Sequence, residues 1–196
     1  MVKRFLFLAF VALVTLSLQA QVKAQWGNID TRYPVEEGAA VRAAGVNDAV
    51  AWRGERVNFQ LLVTNNDTTQ LVGYEFSPLK CGSHSIPAEN VAGGFVQPVI
   101  TDRFTGCGKH DVDAYGENLV ADRITADNPT LLAGNCSRGL WLTVSVPQDA
   151  HPGTYRGKVM VTAAGKTRTY TYKVTETGEV DGVTNDAAAT TGKTVT

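Results

Sequence analysis

Two short segments hold the residue types best suited to chemistry: Cys81-Gly82-Ser83-His84 and Cys107-Gly108-Lys109-His110. Thiolate and imidazole are the ligands of tetrahedral zinc, so Cys81, His84, Cys107 and His110 could form a Cys₂His₂ shell if their loops meet. A disulfide among Cys81, Cys107 and Cys136 would use the same sulfurs differently. Three pairings are open, each leaving one thiol over, and unpaired or buried thiols are a further alternative. Aromatic residues offer a second chemistry. Sugar-binding modules stack pyranose rings on exposed aromatic faces and hold the hydroxyls with amides and carboxylates. Trp141, Trp52 and Tyr115, the last beside Asp111 and Asp113, are the candidates for such carbohydrate contact. The competing role for Trp141 and Trp52 is packing, over a sheet edge or against another domain. His151, before Pro152, reads as a solvated turn residue. Asp102 and Asp122 sit in TDR and ADR contexts that favour arginine pairing or strand-end capping.

No other constellation points to catalysis. Serine, histidine and aspartate occur without a G-x-S-x-G elbow to expose a nucleophile. No glycine-rich phosphate loop is present either. No catalytic residue, cofactor or metal is therefore assigned, zinc remaining the weak alternative above.

These residues are positioned by strands. Between Arg138 and Val174, Leu140, Leu142, Val144 and Val146 alternate with polar neighbours and Trp141. Tyr155, Val159, Val161 and Ala163 repeat the pattern, then Tyr170, Tyr172 and Val174. A period of two means one buried face per strand. Pro147, Pro152-Gly153 and Gly165 mark the reversals. Val57, Phe59, Leu61 and Val63 form another alternating set, ended by Asn65-Asn66-Asp67, with 71–79 expected as its hairpin partner. Shorter candidates cover 49–52, 95–101 and 119–124, and 105–115 reads as a large loop. No window holds a helical period. The expectation is an all-β antiparallel sandwich, Ig-like or jelly-roll-like.

Lys3 and Arg4 precede an apolar stretch from Phe5 to Leu18, with Ala20 and Ala24 as small residues at cleavage positions. This predicts a secretory signal peptide over 1–24 rather than a membrane span, which requires roughly 20 apolar residues. The product would lie in the periplasm, at the cell surface or outside the cell. Loss of Lys3 and Arg4 takes the formal net charge from −1 to −3, which gives no reason to bind nucleic acid or an anionic membrane. The folded body is expected over 25–174. From Thr175 the composition turns to Thr, Gly, Ala and Asp without an aromatic residue, so 175–196 reads as a disordered tail or linker stump.

The segment GLWLTVSVPQDAHPGTYRGKV resembles the N-terminal β-sandwich domain of glycoside hydrolase family 123. WRGERVNFQLLV, AENVAGGFVQPVITDRF and GCGKHDVDAYGENLVADRI are similar to the same domain in the same order. The resemblance covers the whole expected body and implies a secreted Bacteroidetes-type protein of carbohydrate metabolism. Family members resemble substrate-assisted β-N-acetylgalactosaminidases, whose adjacent Asp and Glu lie on a C-terminal (β/α)₈ barrel. Such a barrel takes about 250 residues, and the sequence ends too soon after its last expected strand to hold one. It also has no adjacent Asp-Glu pair; its neighbouring acids, Glu36-Glu37, fall outside the matched segments. The expectation is a non-catalytic accessory domain supporting an absent barrel, or alternatively a free-standing carbohydrate-binding or adhesion module. Its expected partner is accordingly the catalytic barrel or a glycan.

Overall fold

The computed structural model describes residues 22–35, 45–101, 103–104, 110–111 and 118–180. Its strands are β1 (Val22–Gly27), β2 (Asp48–Arg53), β3 (Arg56–Asn65), β4 (Gln70–Phe76), β5 (Leu79–Cys81), β6 (His84–Ile86) and β7 (Val91–Thr101). They continue with β8 (Arg103–Phe104), β9 (His110–Asp111), β10 (Asn118–Thr125), β11 (Thr130–Leu132), β12 (Cys136–Ser145), β13 (Gly153–Ala163) and β14 (Lys166–Val180). A three-residue 3-10 turn, Ala88–Asn90, is the sole helical element among the described residues.

One sheet runs β1-β3-β12-β7-β10, entirely antiparallel. The other runs β11-β4-β13-β14-β2, with β5 beside β13 and β6 beside β5. Its pairs are antiparallel except β14 with β2, which is parallel. The two sheets share one core. Phe59, Leu61, Leu140, Leu142 and Phe95 come from the first; Val72, Tyr155, Val159, Tyr172 and Val174 come from the second. Trp26, Phe59 and Tyr172 meet edge-to-face or tilted across the layer, with ring centroids 5.2–6.1 Å apart. Such aromatic geometry adds to the area the rings bury. This is the all-β sandwich that the alternation predicts.

The hairpin expected across Asn65-Asn66-Asp67 does not form: β3 and β4 lie in different sheets. The Asn65 side-chain amide explains the corner. It donates to the carbonyls of Thr68, Leu132 and Ala133, while its oxygen accepts the Asp67 N–H. These bonds fix a crossing between sheets where a tight hairpin would have kept both strands in one. The β-structure also runs past the expected boundaries. β1 begins at Val22, within the stretch assigned to the signal peptide, and β14 continues to Val180, within the stretch assigned to the tail. Backbone pairing to β3 and β2 supplies what the weakly apolar composition at those ends does not.

The segment that carries the family resemblance is explained by packing. The β13–β14 hairpin pairs residue for residue from Gly153↔Glu176 to Ala163↔Lys166. Tyr155 is buried and its hydroxyl donates to the His151 carbonyl, tying down the turn before the strand. A Cβ on Gly157 would stand 2.6 Å from Tyr172 Cζ and 2.8 Å from Leu79 Cγ. The absence of a side chain at Gly157 therefore leaves the space that the Tyr172 ring fills.

Candidate functional site

The thiols do not assemble a site among the described residues. Cys81 and Cys136 are both free, so the pairing between them is absent. Cys136 opens β12 opposite Asn65, whereas the Cys81 sulfur lies where a Gly153 Cβ would be, 2.7 Å away. Cys107 is outside the described residues, as are Tyr115 and Asp113. His110 and Asp111 contribute backbone to β9, paired with β8, and their side chains are likewise not described. His84 sits across the β5–β6 hairpin from Cys81, and its ring stacks on His151 at 3.9 Å. His151 is exposed, as expected of its turn, and gains this partner. Among the described residues no three His, Cys, Asp or Glu side chains converge as a metal would require.

A second location is the free edge of β2. Val50 and Trp52 share one phase of the alternation and, with Val46 just before the strand, are 66%, 43% and 61% exposed, while Ala51 on the other phase is buried. Beside them β14 leaves the sheet. Its ladder to β2 steps from Glu176↔Ala51 to Val180↔Arg53, so the strand bulges between those pairs. Gly178 takes φ +88° in that bulge, and its N–H donates to the Glu176 carboxylate at 2.6 Å. Glu176 is 2% exposed, with the Arg53 guanidinium 3.8 Å from it. A buried carboxylate thus holds the departing strand against the edge.

The third location is the outer face of the first sheet. Residues 28–35 cross this face and cover it, which is why Leu62 is buried on the outward phase of β3. With its amide turned to face acceptors, Gln60 donates to the Asn28 and Thr31 carbonyls, and the Ser137 N–H donates to the Val35 carbonyl. A cleft of about 240 Å³ remains between this segment and the sheet. Trp141, Val96, Ile124 and Ile29 form its apolar lining, and Arg32 faces Asp122 across 3.5 Å at its exposed side. Trp141 points away from Leu140 and Leu142, as the alternation predicts, and its indole N–H donates to Asn58. Arg32 and Gln60 were not legible as site residues. The ADR context of Asp122 favours an arginine pair or a strand-end cap, and the arginine beside it is Arg32.

A larger, open groove of about 640 Å³ lies beside β4 and β11, between Leu71, Pro129 and Thr162. Glu75 is its single carboxylate, which gives it no acid-base pair. Burial raises the pKa of Tyr74, Tyr155 and Tyr172 above the usual phenol value, with Asp127 adding to the effect at Tyr74. All three are core residues.

Sandwich, corner and edge together define a two-sheet β domain, in which no metal-binding cluster forms among the described residues. The chain belongs to the family of the glycoside hydrolase 123 N-terminal domain, whose model matches residues 26–163. A family 123 glycoside hydrolase from Clostridium perfringens, studied for glycolipid glycan hydrolysis, has a similar structure at TM-score 0.70 and 20% identity. The match covers 82% of this chain but only 28% of that one, so the chain spans under a third of that protein's length. Two further matches are AvmM, which catalyses macrocyclization in alchivemycin A biosynthesis, and the CooA pilin subunit of enterotoxigenic Escherichia coli. Their TM-scores are 0.38 and 0.33, at 10% and 16% identity, covering 82% and 71% of this chain and 90% and 94% of theirs. No curated protein matches the sequence.

Proposed function

We propose that this chain is an exported, non-catalytic accessory domain that docks on a glycan-cleaving catalytic domain through the free edge of β2. The observation that carries the reading is the exposed stripe Val46, Val50 and Trp52 beside the clamped exit of β14. In a family defined by its N-terminal domain, the remainder follows on the C-terminal side, and β14 delivers the chain to this edge. Large apolar side chains grouped on an edge strand invite pairing and are normally covered. Catalysis would belong to the partner, β-N-acetylgalactosaminidase being the activity that the family resemblance implies. Signal cleavage after Ala20 fits this reading better than cleavage after Ala24, because it leaves β1 whole and keeps the Ala24 N–H bonded to the Tyr170 hydroxyl.

Mixing the purified chain with the isolated catalytic barrel of a family 123 enzyme tests the docking. Co-elution on a sizing column is expected, and Val50→Asp or Trp52→Asp should abolish it. Failure to associate with family barrels, or release of sugar from an aryl N-acetylgalactosaminide by the chain alone, would overturn the proposal.

A further inference from the structure

The cleft on the first sheet lies on the opposite layer from the β2 edge, so docking there would leave it open. We propose that this cleft binds a single pyranose residue of a glycan, with one C–H face of the ring on Trp141 and its hydroxyls on Arg32 and Asp122. The inference goes beyond the docking reading and does not depend on it.

Three features select this ligand class. The first is size. About 240 Å³ falls below the roughly 300–1,000 Å³ of pockets that take drug-sized molecules, and suits one six-membered ring rather than an extended chain. The second is the lining. Trp141 gives its indole N–H to Asn58, so toward the cleft it offers an apolar plate, extended by Val96 and Ile124. A pyranose has such an apolar face, and aromatic rings bury it well. The third is charge. Arg32 presents a planar fork of donors and Asp122 a pair of acceptors, 3.5 Å apart, with side chains 72% and 58% exposed. Hydroxyls both donate and accept, and so use both groups at once. An anion would meet Asp122 and a cation Arg32, so the pair disfavours either as a lone ligand. The site is also built in advance. Gln60 and Ser137 hold the 28–35 segment to the sheet, so a ligand need not order that wall.

The test is a titration of the full ¹⁵N-labelled chain with N-acetylgalactosamine, galactose, glucose and N-acetylglucosamine, following its three indole N–H signals by nuclear magnetic resonance. A saturable shift of the Trp141 signal by at least one sugar is expected, while Trp26 and Trp52 stay in place. Arg32→Ala and Asp122→Ala remove exposed side chains and should leave the fold intact. Each should weaken binding about tenfold, the effect of losing one charge-assisted hydrogen bond. The proposal is overturned if no sugar moves Trp141, if the shift appears at Trp52 instead, or if both variants titrate like the parent. A silent Trp141 leaves the co-elution test of the β2 edge untouched, so the two readings fail separately.

Discussion

The β13–β14 hairpin and the β2 edge are hydrogen-bonded neighbours in one sheet, yet their side chains answer to different demands. In the hairpin each recognisable residue has a packing reason: Tyr155 closes a turn, Gly157 makes room for Tyr172, and Val159, Val161 and Val174 fill the core. Along β2 the buried phase is only Ala49 and Ala51, and the larger Val50 and Trp52 face solvent. The segment that makes the family recognisable is thus scaffold. The residues with spare interaction capacity lie where packing has left them over, at the β2 edge and in the cleft beside Trp141.

The contrast predicts a graded set of effects. Leu142→Ala, in the core strand facing the hairpin, should cost about 2–5 kcal/mol in denaturant unfolding, through lost burial and the cavity left behind. Gly157→Ala should cost about 1–3 kcal/mol, because its methyl meets the Tyr172 ring and Leu79. A neutral result there would show that the hairpin tolerates what its packing forbids. Tyr172→Phe runs the other way. The Tyr172 hydroxyl is buried without a hydrogen-bond partner, so its removal should leave stability at neutral pH unchanged or raise it by up to about 1 kcal/mol.

The same variant sharpens a pH dependence. Burial raises the pKa of Tyr172 above that of the unfolded chain, near 10. The folded state then holds its proton more tightly than the unfolded one. The stability this gives is complete below about pH 10 and is lost as the pH climbs further. Thermal melts above pH 10 should fall, and should fall less steeply in Tyr172→Phe. The smallest effect belongs to the edge: Val50→Asp should change stability by less than about 0.5 kcal/mol while removing association with the barrel. A large loss of stability at Val50 would show that the edge is core after all, and erase the distinction between the two regions.

What the sequence reveals here follows from what alternation encodes. A period of two states which side chains are buried, and in β12, β13 and β14 it places Leu140, Tyr155 and Tyr172 correctly. It does not state which sheet a strand joins. The passage from β3 to β4 reads as a hairpin because the three Asn65 amide bonds that make it a corner reach residues 68, 132 and 133, two of them distant in sequence. The end of β14 is hidden for a related reason. Among the described side chains after Val174, the fully buried one is the charged Glu176, and the partner strand is reached by parallel pairing across the sheet. At the cleft, the outward direction of Trp141 is legible and the wall formed by 28–35 is not, since that segment has no period. One signal was available: Leu62, an apolar residue on the outward phase of β3, implies that something covers that face.

The bulge at Gly178 has a mechanical consequence. β14 lies between β13 on one side and β2 on the other, held at its far end by Glu176 and Arg53. A pull directed along the axis of β14 would load both flanking ladders in shear, rather than opening them one rung at a time.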